Sequence, residues 1–177
     1  MQVLVNLHVM PRRLGLPDDA DLGAGTGYFS VHLAKAVGDE GRVLAIDVEP
    51  KLVDYMKERA AKAQLAQLVP VLAPVDDPKL PERGVDLVLI VDTWHHIDDR
   101  LHYLAKLAAG LKAGGRVAVV DFKMGDFPVG PPDAHKLTAE AVTAEFVAAG
   151  WLAATRWDEL PYQYVLVFTP PAASGGA

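Results

Sequence analysis

Five short runs of Val, Leu and Ile, each separated from the next by turn or helical sequence, constrain this chain more than any other feature. They are Arg42–Asp47, Leu68–Ala73, Val85–Asp92, Arg116–Phe122 and Tyr164–Thr169. Near-continuous apolar runs of this length are what strands buried on both faces look like. Between them lie amphipathic helical patterns. In Pro50–Gln64, Leu52, Tyr55, Met56, Ala60 and Ala63 recur at helical spacing, and Pro50 suits a first turn. In Asp98–Lys112, Leu101, Leu104, Ala108 and Leu111 share one face, with Asp98 as the expected N-cap. Val142, Phe146 and Ala149 do the same in Thr138–Ala149. Strands alternating with helices predict crossover units on a parallel sheet covered on both sides. Leu152–Asp158 and Tyr164–Thr169 are joined by too few residues for a helix, so a terminal hairpin is expected, with one antiparallel strand.

At 177 residues the chain is one domain. The expected division is a short N-terminal arm at 1–16, a ligand-binding domain at 17–169 and a disordered tail at 170–177. The first strand should be weak, because Pro17-Asp18-Asp19-Ala20-Asp21 stands where an apolar run is expected. The chain has no cysteine, which removes disulfides and thiol chemistry. A net charge of −6 with no basic stripe disfavours nucleic acid as a partner. No apolar run is long enough for a membrane span and no secretory signal is visible, so the expected compartment is the cytoplasm.

The segment Gly23-Ala24-Gly25-Thr26-Gly27 precedes a helical stretch from Tyr28 to Val37. Glycines after a strand allow a sharp turn and let a ligand approach the N–H groups at the helix start. The spacing is G-x-G-x-G, whereas dinucleotide binding uses G-x-G-x-x-G. Asp47 ends the next strand, twenty residues past Gly27. A carboxylate there accepts from both hydroxyls of a ribose.

These residues resemble the class I S-adenosylmethionine-dependent methyltransferases, and the resemblance covers nearly the whole chain. It implies an α/β, Rossmann-like, doubly wound seven-stranded sheet of order 3-2-1-4-5-7-6, mostly parallel with the last strand antiparallel. It implies S-adenosylmethionine as cofactor. Asp21-Leu22-Gly23-Ala24-Gly25-Thr26-Gly27 matches the family's first motif, so Asp21, Gly23, Ala24, Gly25 and Gly27 are candidate cofactor residues. Asp47 matches the ribose-holding acid, with Val48 beside the adenine. Val75–Pro81 resembles the loop whose Asp contacts the adenine amino group; Asp76 is the better alignment and Asp77 the alternative. Val85–Asp92 resembles the fourth strand, which brings in Val91 near its end. Leu111–Arg116 resembles the turn before the fifth strand, with Ala113 where the family usually has Pro. Tyr28 either covers the methionine part of the cofactor or packs in the core.

Methyl transfer requires aligning a nucleophile and excluding water, with a base in reach if the nucleophile carries a proton. In an open parallel sheet the ligand lies beyond the carboxyl ends of the strands. There the fourth strand ends in Asp92-Thr93-Trp94-His95-His96. Asp92, His95 and His96 are the candidate catalytic residues, since imidazole titrates near neutrality, and Trp94 is a candidate apolar wall. The alternative is that one His caps a helix and the other packs under a loop. Asp121 at the end of the fifth strand would neighbour Asp92. That pair resembles the metal-dependent O-methyltransferases, but Phe122 stands where they carry an Asn ligand, and no metal is assigned. His135 and Lys136, in the proline-rich stretch after the fifth strand, either line the substrate pocket or sit in a solvated connection. The expected substrate is a small molecule. Only 22 residues precede Gly23, so the site is expected to be closed by the short arm, by a second subunit of a homodimer, or by sequence missing from the start. A non-catalytic S-adenosylmethionine-binding module is the competing reading. A nicotinamide-dependent oxidoreductase is the third; it shares the glycines but not their spacing.

Overall fold

The computed structural model describes residues 18–172; the expected arm at 1–16 and the end of the tail lie outside the described residues. The strands are β1 (Asp18–Leu22), β2 (Arg42–Asp47), β3 (Leu68–Leu72), β4 (Val85–Val91), β5 (Leu111–Phe122), β6 (Leu152–Trp157) and β7 (Gln163–Thr169). The helices are α1 (Tyr28–Val37), α2 (Pro50–Lys62), α3 (Arg100–Gly110) and α4 (Ala139–Ala148). One seven-stranded sheet runs in the order β3-β2-β1-β4-β5-β7-β6. The first five pair in parallel, and β7 runs antiparallel to both β5 and β6. This is the architecture the sequence predicts, terminal hairpin included.

Each face of the sheet carries its own core. Leu33 and Ala34 of α1 and Val53 and Met56 of α2 pack on Val43, Leu87, Leu89 and Val167. On the other face Tyr103, Leu104 and Leu107 of α3 and Val142 and Phe146 of α4 pack on Val88, Ile90, Val119 and Phe168. Phe146 is the centre of an aromatic stack, 3.8 Å from Phe168, 4.9 Å from Trp94 and 5.4 Å from Trp151 between ring centroids.

Three local expectations are corrected. β1 is a fully paired central strand despite its acids, and Ala20 and Leu22 are buried. Its carboxylates have partners: Asp18 pairs with Lys112 and Arg42, and Asp21 accepts from the Ser30 hydroxyl. Cations offset the cost of placing the Asp18 charge in the sheet, and Asp21 escapes most of it by shifting toward its neutral form. The cap of α3 is Asp99, which accepts from His102 N, not Asp98, and the helix ends at Gly110. The chain enters β5 at once, and Gly84 N donates to Gly110 O at 2.8 Å. β5 starts at Leu111, five residues before the expected Arg116, so the expected turn is part of the strand. Elsewhere boundaries match to within two residues, and Thr138 caps α4 by accepting from Ala141 N.

Replacing Phe146 by Ala leaves a cavity in the aromatic stack and should cost about 3–5 kcal/mol. Equilibrium urea unfolding reads the loss; a midpoint unchanged from the parent protein would contradict the packing described.

Candidate active site

The glycine segment folds back over β2. Gly23 N and Ala24 N both donate to Ile46 O, at 2.9 and 3.0 Å, and Gly27 N closes the turn on Ala24 O. Gly23 has a φ of 72°, a left-handed conformation, and a Cβ built there would lie 2.2 Å from Thr93 Oγ1. Both the backbone and the neighbour therefore demand glycine. Thr93 itself is tied down, its hydroxyl donating to Val91 O at 2.8 Å.

Asp47 is buried to 7% exposure at the end of β2. Its Oδ2 accepts from Gly25 N at 2.7 Å and its Oδ1 from Glu49 N at 3.0 Å. The two backbone donors fix the carboxylate, and each oxygen keeps a further acceptor site. Beside it opens a cavity of about 330 Å³ lined by Leu22, Gly23, Ile46 and Asp47, by Val48, Ala73, Pro74 and Val75, and by Thr93, His96, Ile97 and Tyr103. A concave, mostly apolar space with a few polar groups, here Asp47, Thr93, His96 and Tyr103, is what a ligand site of this size looks like.

The sequence candidates divide. Gly23, Asp47, Val48 and His96 line the cavity. Ala24 and Gly25 shape the loop through the hydrogen bonds above. Gly27, also left-handed, sits where a Cβ would press on Met56. Asp21 lies beneath the loop, its carboxylate engaged by Ser30. Burial pushes Asp21 up to about 6, an effect that the Ser30 hydrogen bond opposes. Val91 is half-buried against the α1–α2 core. Tyr28 is 55% exposed and makes edge contacts with Phe29 and His32, so it joins neither the core nor the cavity wall. Asp76 is exposed, with its carbonyl accepting from Lys106 Nζ. Asp77 is held by Lys79, which keeps its carboxyl below the usual range. Neither lines the cavity; Ala73, Pro74 and Val75 of the same connection do.

Beyond the cavity, the ends of β4 and β5 bring the second cluster together. His95 Nδ1 lies 3.0 Å from Asp121 Oδ2, with side chains 7% and 0% exposed. Asp121 Oδ1 also accepts from Phe122 N at 2.8 Å. His96 packs against His95, with centroids 4.2 Å apart and the rings tilted by 45°. Asp92 has a left-handed φ of 50°, and both its oxygens accept from Gln163 Nε2, at 2.9 and 3.0 Å. Burial raises Asp92 to about 6; Gln163 opposes the rise, Asp121 adds to it, and His95 opposes it.

Trp94 is not a substrate wall. It is fully buried, and its indole N–H donates to Glu145. Lys136 is neither pocket-lining nor solvated. It is buried, with Nζ on Gly125 O and Asp133 Oδ1 and its cation 5.1 Å from the Phe127 ring centroid, and so it braces the 123–136 loop. His135 is exposed. Thr93, Ile97 and Tyr103 were not singled out from sequence. Thr93 stands inside the Asp92–His96 run, which is the signal for it, and the other two fall at positions indistinguishable from core. Among the described residues no group of three metal-ligating side chains occurs, and Asp92 and Asp121 are each engaged by protein donors.

A family model described as a methyltransferase domain matches residues 20–115. The chain belongs to the class I S-adenosylmethionine-dependent methyltransferases. It is 30% identical over 124 residues to the aklanonic acid methyltransferase of Streptomyces sp. strain C5, covering 69% of this chain and 56% of that one. It is 31% identical over 141 residues to the 27-O-demethylrifamycin SV methyltransferase of Amycolatopsis mediterranei, covering 78% and 48%. The chain thus spans about half the length of the curated relatives it matches. A SAM-dependent methyltransferase from Aquifex aeolicus has the same fold, with a TM-score of 0.85 at 24% identity over 94% of this chain and 87% of that one. The cyclase SpnF also shares it, at 0.77 and 14% identity over 96% and 81%, so the fold by itself does not determine the chemistry. The residues present fit the family's cofactor. Asp47 offers acceptor sites for a vicinal diol, the apolar walls suit a flat base, and Gly23 and Gly25 permit close backbone approach.

Gly23→Ala should lower S-adenosylmethionine affinity at least tenfold, the cost of a strained backbone plus a displaced Thr93; calorimetry reads it, and parental affinity would contradict the fit. For Asp21 the sign is as follows. Its folded value lies above its unfolded one, so the ionised form destabilises the fold, and stability rises as pH falls from above 6 toward 4. Asp21→Asn should therefore exceed the parent above pH 6 by about 3 kcal/mol, with the gap closing near pH 4. Urea unfolding across pH measures this, and a gap that does not vary with pH would refute it.

Proposed function

We propose that this domain transfers a methyl group from S-adenosylmethionine to a hydroxyl or other protic atom of a small-molecule acceptor, with His95 as the general base. The observation that carries the reading is Asp47: a carboxylate locked by Gly25 N and Glu49 N, open to a mostly apolar cavity that His96 also lines. The relatives whose names specify acceptors act on aklanonic acid, a demethylrifamycin and demethylmenaquinone, and these support a small organic acceptor here.

When bound, S-adenosylmethionine supplies an electrophilic methyl carbon on a sulfonium sulfur that leaves as a neutral thioether. Asp47 would hold the ribose, and Val48, Ala73, Pro74 and Val75 would enclose the base. An ionised Asp121 only accepts hydrogen bonds, so His95 carries its proton on Nδ1 and keeps Nε2 as the acceptor. His95 Nε2 takes the acceptor's proton as the nucleophile commits its electron pair to the methyl carbon. Asp121 stabilises the imidazolium that results and keeps the ring in place, the role a buried carboxylate plays behind a catalytic imidazole. His96 lines the cavity and packs against the His95 ring.

Calorimetry tests the cofactor half. The chain should bind S-adenosylmethionine, and Asp47→Ala should weaken binding by about 1–3 kcal/mol; binding of NADH instead would overturn the reading. His95→Ala should keep the cofactor affinity and lose most of the transfer rate, about 10²–10⁴-fold for a lost general base.

A further inference from the structure

Two carboxylates end adjacent strands, yet the fold treats them differently. Asp121 is fully buried, and both its oxygens are taken by His95 and Phe122 N. Asp92 is only half-buried. Among the described residues it has no cation partner, and its one side-chain partner is the neutral Gln163. That partner comes from β7, across β5 from the end of β4 and 71 residues along the chain. Gln163 opens β7 and pairs with Phe122 of β5. The turn that delivers it is fastened from below: Lys123 N donates to Tyr162 O, and Lys123 Nζ donates to Asp158 O and Leu160 O. One amide nitrogen therefore bridges both Asp92 oxygens from a fixed point. The backbone of Asp92 is left-handed, a conformation that costs a non-glycine residue about 1–3 kcal/mol and persists where surroundings impose it.

Holding a carboxylate on one side only, with a neutral donor, leaves its remaining acceptor sites charged and directed away from the protein donor. Such a group discriminates strongly, because a ligand lacking the matching donor strands it unpaired. We infer that Gln163 is a positioning residue which aims Asp92 at the methyl acceptor, and that Asp92 selects acceptors bearing a second hydroxyl beside the one that is methylated. This rests on the methyl-transfer reading of the site. His95 takes the proton of the reacting atom, and Asp92 accepts a hydrogen bond from its neighbour without itself changing protonation. The preferred substrate class is then vicinal dihydroxy compounds. The titratable groups facing Asp92 are Asp121 on β5 and His95 on the turn after β4. Since Asp92 sits at about 6, its accepting form prevails above neutrality.

The test uses the full chain with S-adenosylhomocysteine bound and two probes, 2,3-dihydroxynaphthalene and its monomethyl ether 3-methoxy-2-naphthol. The parent should bind the diol at least about tenfold more tightly than the ether, the discrimination of one well-made hydrogen bond. Asp92→Asn and Gln163→Met should both bring that ratio close to one while S-adenosylhomocysteine affinity stays within about twofold. Carbon-13 titration of labelled aspartate, with Asp92 assigned by its loss in Asp92→Asn, should show Gln163→Met binding the Asp92 proton about tenfold more tightly, since the amide that favours the ionised form is gone. Parent affinity that is equal for the two probes, or absent for both, overturns the inference. So does a Gln163→Met variant whose Asp92 titration and probe ratio match the parent. Failure of the parent to bind S-adenosylhomocysteine would instead count against the methyl-transfer reading beneath it.

Discussion

The carboxylate of Asp47 is the point on which the rest of the site depends. Its two bonds run to Gly25 N on one loop and Glu49 N on the next, so one side chain ties the end of β2 to the turn after β1. The glycine loop also leans on Ile46 O through two N–H groups. Together these contacts convert a glycine-rich segment, otherwise the most mobile kind of backbone, into a fixed cradle. A buried charge is tolerable there because backbone dipoles solvate it, and its unspent acceptor capacity is what a ligand can use.

A second logic governs the acid residues of the sheet. Asp18, Asp21, Asp47, Asp92 and Asp121 all stand at or near strand ends, and each has a different fate set by its neighbours. Asp18 is neutralised by cations at the end of the sheet remote from the site. Asp21 is kept under the glycine loop by Ser30 and is pushed by burial toward its neutral form. Asp121 is committed to an imidazole. Asp47 and Asp92 alone combine fixed position with access. Environment, more than residue type, separates structural acids from those left open to a ligand.

Much of this was legible in the sequence, and what was not has a common cause. The strand–helix alternation, the terminal hairpin, the glycine loop, Asp47 and the location of the Asp92–His96 cluster follow from local pattern: strand runs, turn glycines and strand-end acids. The sheet order follows from the family resemblance those residues carry. β1 was under-read because local propensity sees three acids and cannot see Lys112, Arg42 and Ser30 arriving from elsewhere. Trp94 was misassigned for the same reason. An indole beside two histidines suggests a site, but a stack of Phe146, Trp151 and Phe168 claims it for the core. The His95–Asp121 and Asp92–Gln163 contacts span 26 and 71 residues. They exist only because β5 and β7 lie next to β4 and β5, and no spacing rule reports them. Lys136 is the converse case, a charge that reads as surface yet is buried by a loop built around it.

The contact between Gly23 and Thr93 joins the two halves of the site. The glycine loop and the turn after β4 touch with no room for a single carbon between them. A lineage that explored new acceptors by reshaping the turn after Asp92 would meet this seam first. Position 93 can change its polarity but hardly its bulk, because any added volume displaces the cradle. Diversification is thereby channelled outward, into the braced loop after β5 and the hairpin that carries Gln163, where sequence can vary while the cradle stays intact.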